Sequence, residues 1–284
     1  MNRTFILILT MAFCSGAAGA QTTELSRDRD RLVDEIVAAL PSPGPASRES
    51  RLIEELEALS AGAAKAAGRP SGGTAFRLID AVWALGETGG PAAERALLAA
   101  APQADPTLRL NIDAALAKIS GRPAVGGRAE EPAAAHLEPG DILFRKGYFG
   151  LLNPAIGAQA AGHVGVYAGV ENGEHMVIEG WLPVRKVSLK VFIGNWPYYG
   201  NRTTPVRPTA AQRAAIVDYV RAQLGKGYDM AHTGQKGPGK FDCVGLAEAA
   251  YEAAGLNPTP DEFESGWGWP LTPTEQYEHT VANH

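Results

Sequence analysis

Thiols are scarce in this chain of 284 residues, which contains only two cysteines, Cys14 and Cys243. Neither cysteine lies near a second thiol, and no His-x-x-x-His pair occurs, so the sequence lacks a ligand set typical of a zinc site. A glycine-rich phosphate-binding motif is missing as well. We therefore predict that the protein uses no metal and no other cofactor.

Basic clusters and long apolar runs are also lacking. The formal net charge is −5, and without a basic patch this argues against nucleic acid as the main partner. No run of about 18 apolar residues follows residue 20, so the sequence predicts no transmembrane helix. The apolar fraction of 45% is ordinary for a globular protein, and the length suits one large or two modest domains.

The first twenty residues have the pattern of a secretory signal peptide. Arg3 supplies the positive start, an apolar run covers 5–14, and Ala18-Gly19-Ala20 is a small-residue cleavage site. The pattern predicts a secreted or periplasmic protein that is cleaved after Ala20. Cleavage removes Cys14 and leaves Cys243 in an oxidising compartment without an intramolecular disulfide partner. Retention of a lone thiol there favours a chemical role.

Residues 21–120 predict a small all-α domain. Apolar residues recur at helical spacing in five segments, which breaks rich in Pro and Gly separate. Residues 81–119 resemble a HEAT-type helical repeat, with the cue Ala84-Leu85-Gly86-Glu87 and an Asp105-Pro106 start for the next helix. A plain helical bundle without a binding role is the alternative. Residues 121–136 are rich in Gly, Pro and Ala and predict a linker.

Residues 137–284 predict a second domain, of the α+β class. Strands are expected at 141–144, 162–169 and 175–181, with a partly alternating segment at 184–192 and a short strand at 204–207. An amphipathic helix is expected at 209–224, with Thr209 as its cap. We expect mostly antiparallel strands with helices packed around them.

Cys243 is predicted to begin a helix. Asp242 is a good N-cap, and a run rich in Ala and Glu continues until Gly255. The unpaired N–H groups and the positive dipole end of a helix stabilise a thiolate over a thiol, which suits a nucleophile. The alternative is a small buried residue that packs the start of the helix.

A nucleophilic cysteine needs a base and an orienting group, and His163 and Glu179 are the candidates. Both lie on predicted strands that a turn at Asn172-Gly173 joins. A two-residue turn puts Glu179 on the wrong face, whereas a three-residue loop puts both side chains on one face, with His163 opposite Trp181. The sequence permits either loop. A structural histidine and a rim carboxylate are the alternatives.

Five short motifs follow one another in the second domain. In chain order they are Gly140-Asp141-Ile142-Leu143-Phe144, Gly162-His163-Val164-Gly165-Val166-Tyr167, Val177-Ile178-Glu179-Gly180, Gly225-Lys226-Gly227-Tyr228-Asp229 and Phe241-Asp242-Cys243-Val244-Gly245-Leu246. This series resembles the circularly permuted papain-like hydrolases, the YiiX/YaeF branch of the NlpC group. The similarity covers roughly residues 137–280, and the order His, acidic residue, Cys is the mark of the permutation.

The resemblance implies a permuted papain-like (NlpC-type) fold, in which a small antiparallel sheet packs against a helix that carries the nucleophile at its N-terminus. It implies Cys243 as nucleophile, His163 as general base and acid, and Glu179 as the residue that orients the imidazole. Many family members have Ser or a bulkier residue where Val244 stands, which leaves the oxyanion-hole contribution of that position to its backbone N–H.

Three further residues are assigned to substrate binding. Tyr228 matches a family tyrosine that tends to lie near the thiol. Gly165 leaves room beside His163 for another segment or a ligand, and Asp242 precedes the nucleophile.

The function that follows is a secreted thiol hydrolase that cleaves an amide or peptide bond through a thioester, by resemblance in cell-wall peptides. A protein partner could bind the helical domain. One alternative is an acyltransferase or lipid hydrolase of the lecithin retinol acyltransferase type, which needs an apolar groove. The groove could be lined by Trp181, Trp196, Trp267 and Trp269. Another alternative is a non-catalytic binding module that retains the triad as a relic.

Overall fold

The structure, a computed structural model, describes residues 29–40, 47–65, 72–121, 136–147, 161–229, 235–260 and 271–283. The predicted signal peptide, nearly all of the predicted linker, and Trp267 and Trp269 lie outside these residues. Among the described helices, none has the length and apolar character needed to cross a membrane.

Five α-helices occupy the described part of the N-terminal region. They are α1 (29–38), α2 (Arg48–Lys65), α3 (Gly72–Thr88), α4 (Pro91–Ala100) and α5 (Pro106–Ser120). Local chemistry sets the ends of α5: the Asp105 carboxylate accepts a hydrogen bond of 2.8 Å from the backbone N–H of Leu108, and Gly121 takes a left-handed φ of 61°. Helix α3 packs against both α2 and α5.

The C-terminal region is built on a six-stranded antiparallel sheet with helices packed on it, so the predicted α+β class is confirmed. Its strands are β1 (Ile142–Arg145), β2 (His163–Glu171), β3 (Glu174–Glu179), β4 (Arg185–Ser188), β5 (Tyr198–Thr203) and β8 (Val281–Ala282). The spatial order is β4-β3-β2-β1-β5-β8, and β6 (Gly227–Tyr228) pairs separately with β7 (Lys240–Phe241).

One predicted strand is wrong. The segment 204–207 is not extended in the sheet, because β5 ends at Thr203. The hydroxyl of Thr204 donates to the carbonyl of Val206 at 2.7 Å, which bends the chain back on itself directly after the strand.

Four further helices within the described residues cover the sheet: α6 (Leu189–Ile193), α7 (Ala210–Ala222), α8 (Cys243–Ala253) and α9 (Pro273–His279). The predicted cap of α7 is confirmed, since Thr209 and Gln212 form a reciprocal capping box. Alternation along the strands gives the sheet two apolar faces. Phe144 and Val164 belong to the core that includes residues of α7 and α8, and Leu143 belongs to the core that includes residues of α6.

The N-terminal helices share a core with the sheet. Phe76 of α3 contacts the rings of Tyr199 at 4.7 Å and Tyr277 at 4.5 Å, measured between centroids. The amide of Asn111 on α5 donates to the Tyr198 carbonyl at 2.8 Å and accepts from its N–H at 3.2 Å, so it bonds to β5 almost as a neighbouring strand would. The helices and the sheet therefore pack as one unit across β5.

A buried ion pair crosses the same boundary. Lys146, which directly follows β1, donates from Nζ to the carboxylate of Asp80 on α3, and both residues are almost fully buried. The hydroxyl of Tyr199 donates to the other carboxylate oxygen at 2.8 Å. Each of these groups would be costly to bury alone, and together they satisfy one another.

We expect Asp80→Ala to reduce the free energy of unfolding by about 3–5 kcal/mol, because it leaves the Lys146 charge buried without its partner. Urea denaturation followed by circular dichroism measures the change. Asp113→Ala is the matched control, since it removes the exposed partner of Arg109 and should cost less than about 1 kcal/mol. Equal losses in the two variants would contradict the role of the buried pair.

Candidate active site

The hairpin of β2 and β3 decides whether His163 and Glu179 can meet. Its turn contains two residues, Asn172-Gly173, with φ of 53° and 81°, and Glu171 pairs with Glu174. These angles are typical of a type I′ turn, for which Asn-Gly is a favoured sequence. The two-residue turn by itself would put the Glu179 side chain on the face of the sheet opposite to that of His163.

A β-bulge in β2 corrects the register. The pairing shifts between Tyr167 and Gly169, and beyond this point Val166 pairs with Ile178. The extra residue reverses the facing of all side chains nearer the start of β2. His163 and Glu179 therefore share one face, which is the arrangement that a three-residue loop would have given.

The His163 ring is hydrogen-bonded to the Glu179 carboxylate, with 2.6 Å between Nε2 and Oε2, and both side chains are 1% exposed. Arg185, the cross-strand neighbour of Glu179 on β4, donates from Nε to Oε1 at 2.7 Å. Burial raises the pKa of Glu179, but the hydrogen bond from His163 and the charges of Arg185 and Arg145 outweigh it and hold that pKa below its usual value. Glu179 is therefore a carboxylate.

The imidazole itself is neutral in this setting. Burial and the charge of Arg145 lower the pKa of His163 to about 4, although Glu179 acts in the opposite direction. The bond to a carboxylate assigns the ring proton to Nε2 and leaves Nδ1 unprotonated. Nδ1 is buried and has no hydrogen-bond partner. The ring thus presents an unoccupied basic nitrogen.

Cys243 is the first residue of α8, and Asp242 caps the helix by accepting a hydrogen bond of 2.7 Å from the Gly245 N–H. The predicted helix start and its cap are confirmed. Gly180, which directly follows Glu179, lies against this helix start: a Cβ there would come within 2.6 Å of the Asp242 carbonyl oxygen. The glycine lets the end of β3 and the nucleophile's backbone touch.

Three donors surround the sulfur of Cys243. The backbone N–H groups of Val164 and Val244 and the hydroxyl of Tyr228 lie near it, and each lowers the pKa of Cys243. Val164 follows His163 in β2, so the thiol lies beside the strand that carries the imidazole. Tyr228 lies near the thiol, as the family resemblance implied.

The resting thiol is protonated, so the predicted thiolate is wrong for this state of the protein. Burial and the neighbouring Asp242 carboxylate raise the pKa of Cys243 to about 12, against the effect of its three hydrogen-bond donors. Burial removes the water that would solvate a thiolate, and the residue that caps the helix brings a negative charge beside the sulfur.

At two of the predicted substrate-binding residues, Gly165 and Asp242, other protein groups already fill the space or form the hydrogen bonds. A Cβ at Gly165 would come within 2.7 Å of Val177 and 2.8 Å of Phe192, so the room at Gly165 is filled by the core. The carboxylate of Asp242 accepts from Gly245 on one oxygen and from the side chain of Gln235 on the other. The structure therefore corrects both assignments: Gly165 packs and Asp242 holds the loop.

The sequence reasoning missed two arginines at this site. Arg185 pairs with Glu179 across β3 and β4, and Arg145 pairs with His163 across β1 and β2. A cation at the end of the apolar stretch 142–144 was a visible signal for Arg145. Arg185 could have been found only by pairing the segment 184–192 with β3. Trp181 and Phe192 complete the packing around the imidazole, at 5.2 and 5.7 Å between centroids.

Metal ligands do not converge on this site: within the described residues, no group of three or more His, Cys, Asp or Glu side chains could hold an ion. The described side chains bring together a histidine bound to a carboxylate and, at a helix start beside the same strand, a buried thiol.

Comparison with known proteins gives two matches. The model of the permuted papain-like amidase family, YaeF/YiiX, C92, matches residues 136–263. A solved structure, that of the metalloprotein yiiX from Escherichia coli O157:H7, is 16% identical and covers 52% of this chain and 98% of its own, with a TM-score of 0.41. A search of curated proteins gave no match.

We expect the ring of His163 to stay neutral down to about pH 4, with its proton on Nε2, because burial and Arg145 oppose a second proton. Because the ring binds a proton with a pKa of 6.5 in the unfolded chain and of only about 4 in the folded protein, its contribution to the free energy of unfolding is complete above pH 6.5 and is lost as the pH falls towards 4. Nitrogen-15 NMR of the labelled ring gives both tautomer and pKa. A ring that titrates near 6.5, or that carries its proton on Nδ1, would contradict the assignment.

Two glutamine variants test whether Glu179 contributes to the pKa of His163. Glu179→Gln should lower the pKa of His163 further, since the carboxylate raises it. Glu174→Gln removes an exposed carboxylate from the same strand and should leave the titration unchanged.

We expect Gly180→Ala to slow alkylation of Cys243 at least tenfold, because the added methyl group meets backbone atoms and must separate β3 from the start of α8. An overpacked site of this kind costs about 1–3 kcal/mol of stability, so the variant should still fold. Gly239→Ala is the control on the loop before β7, where a Cβ meets nothing within 4 Å. Equal alkylation rates in both variants would show that this backbone contact does not position the thiol.

Proposed function

We propose that the protein cleaves an amide or peptide bond of cell-wall peptides through Cys243, His163 and Glu179. The match of residues 136–263 to the permuted papain-like amidase family supports this proposal. The family is one of cysteine amidases, so the enzyme class is that of a cysteine hydrolase. One observation carries the triad: Glu179 holds the His163 ring by Nε2, and the opposite nitrogen is buried without a partner.

In the proposed reaction His163 acts first as general base. The Sγ–H proton passes to Nδ1 of His163 as the sulfur attacks the carbonyl carbon of the substrate. Both groups are neutral at rest, so proton transfer accompanies attack and no preformed thiolate is required. Glu179 stabilises the imidazolium that forms, through its short hydrogen bond to Nε2.

The tetrahedral intermediate carries a negative oxygen that needs fixed donors. The backbone N–H groups in the first turn of α8 supply them at the positive end of the helix dipole. The intermediate collapses when the C–N bond breaks, and Nδ1–H of His163 gives its proton to the leaving amine. A thioester on Cys243 remains.

Water completes the cycle. His163, again neutral, takes a proton from a water molecule that attacks the thioester carbonyl. The C–S bond then breaks, the thiol regains its proton from the imidazolium, and the acid product leaves. The net reaction consumes one water molecule and yields one amine and one carboxylic acid.

The substrate class is proposed from the family resemblance, and the pattern of residues 1–20, which predicts export, is consistent with cell-wall peptides. Two arginine side chains, Arg145 and Arg185, bring positive charge beside the base.

Incubation with soluble peptides released from bacterial cell walls tests the proposal. We expect mass spectrometry to find new amine and carboxylate termini, and Cys243→Ala to give none. Glu179→Gln should lower kcat by about 10²–10⁴, because the imidazole loses its orienting charge. Glu174→Gln, on the exposed part of β3, is the matched control and should keep the wild-type rate. Cleavage that persists in Cys243→Ala would overturn the triad, and an absence of cleavage would overturn the substrate class.

A further inference from the structure

Arg145 carries a buried positive charge next to the proposed catalytic groups. Its residue is 5% exposed, and it lies directly opposite His163 in the pairing of β1 with β2. Its charge acts on both Glu179 and Cys243. Within the described part of the chain, no carboxylate forms an ion pair with Arg145: the Glu179 carboxylate acts on its charge but is bonded to His163 and Arg185. Burial of a cation without a bonded anion costs free energy, so such a placement calls for a reason.

The contacts of Arg145 leave one edge of its guanidinium without a hydrogen-bond partner among the described residues. Nη1 donates to the Lys146 carbonyl at 2.8 Å. Cζ lies over two aromatic rings, 5.3 Å from the centroid of Phe192 and 6.0 Å from that of Trp196. Nε is buried and has no hydrogen-bond partner. Nη2 makes no hydrogen bond to the described residues either. The side chain is held by one carbonyl and two aromatic faces, and the Nε–Nη2 edge is unused.

The neighbouring residue shows how this chain compensates a structural cation. Lys146 is also buried, and it is fully paired with Asp80. A structural role would predict a similarly bonded anion at Arg145, and none of the described residues supplies one, although the Glu179 carboxylate is near enough to act on its charge. The unused edge carries two parallel N–H groups, which is the geometry that binds a carboxylate with two hydrogen bonds.

We propose that Arg145 binds a carboxylate of the substrate, so that the preferred substrates carry a free carboxylate next to the amide bond that Cys243 attacks. The inference rests on the proposed function and adds a specificity-determining residue to it. The carboxylate belongs either to a peptide C-terminus or to an acidic side chain at the cleaved bond.

Alkylation of Cys243 by a pair of reagents tests this without knowledge of the substrate. Iodoacetate carries a carboxylate, and iodoacetamide is its neutral counterpart of nearly the same shape. The ratio of their rates, divided by the ratio for free cysteine, should be about tenfold higher in the wild type than in Arg145→Gln. Arg221→Gln is the control: it removes an equal charge from α7, near the far end of β2, and should keep the wild-type ratio.

The outcomes separate the inference from the proposed function. An unchanged ratio in Arg145→Gln, with a reactive thiol, would overturn the carboxylate site and indicate a general effect on the thiolate. A thiol that reacts with neither reagent would count against the proposed function. The carboxylate site is then decided by thermal unfolding of the wild type, where acetate should raise Tm by about 2 °C over chloride at equal ionic strength. No acetate-specific rise would overturn it.

Peptide pairs then identify the source of the carboxylate. Peptides with a free C-terminus are compared with their C-terminal amides, and peptides with Glu at the leaving residue are compared with those with Gln. For each pair, the ratio of the two kcat/KM values is measured in the wild type and in Arg145→Gln. The pair whose ratio falls about tenfold in the variant identifies which carboxylate Arg145 binds. If neither pair is discriminated by the wild type, the inference is overturned even though hydrolysis continues.

Discussion

The hydrogen bond between His163 and Glu179 joins two adjacent strands, and it exists because β2 contains one residue more than β3 needs. Without the bulge, the two-residue turn would place the carboxylate on the opposite face of the sheet. The bond to Nε2 fixes the orientation of the imidazole and leaves Nδ1 buried without a hydrogen-bond partner. A single inserted residue near Gly169 thus sets the chemistry about six residues away.

Burial, rather than the helix dipole, governs the resting thiol. A helix N-terminus stabilises a nearby anion by about 1 kcal/mol. A rise in the pKa of Cys243 from 9.0 to about 12 corresponds to about 4 kcal/mol in the other direction. The same desolvation keeps His163 neutral, and the charges that persist among the described residues of the site, those of Glu179, Asp242, Arg185 and Arg145, are hydrogen-bonded or lie over aromatic rings.

The order of β1, β2, β3, α7 and α8 could be predicted from the sequence, and so could the helix start at Cys243, since Asp242 and the following alanines are local signals. The strand register could not. The extra residue at Ala168-Gly169 leaves the alternating pattern almost intact, although a glycine with φ of 97° suits a bulge. The raised pKa of Cys243 could not be predicted from the sequence either, because the burial that causes it depends on packing from several segments. The HEAT-like nature of the first helices stays a prediction.

The roles of the arginines show a further limit of sequence reasoning. Arg145 and Lys146 are adjacent cations after an apolar strand, and the sequence gives no reason to separate them. In the structure one is neutralised by Asp80 from the helical region, and the other is held by two rings beside the base. Only the three-dimensional surroundings distinguish a structural charge from one that faces the reaction.

The close contact of Gly180 with the backbone of Asp242 and Cys243 has a consequence for how the protein matures. His163 and Glu179 lie on one hairpin, so their pairing needs only local chain closure and can form early. The nucleophile is brought to that hairpin by a segment that is synthesised later and must dock against it. In a partly folded chain His163 and Glu179 can therefore be paired before Cys243 arrives, and any chemistry that needs all three side chains is delayed until α8 has packed against the hairpin.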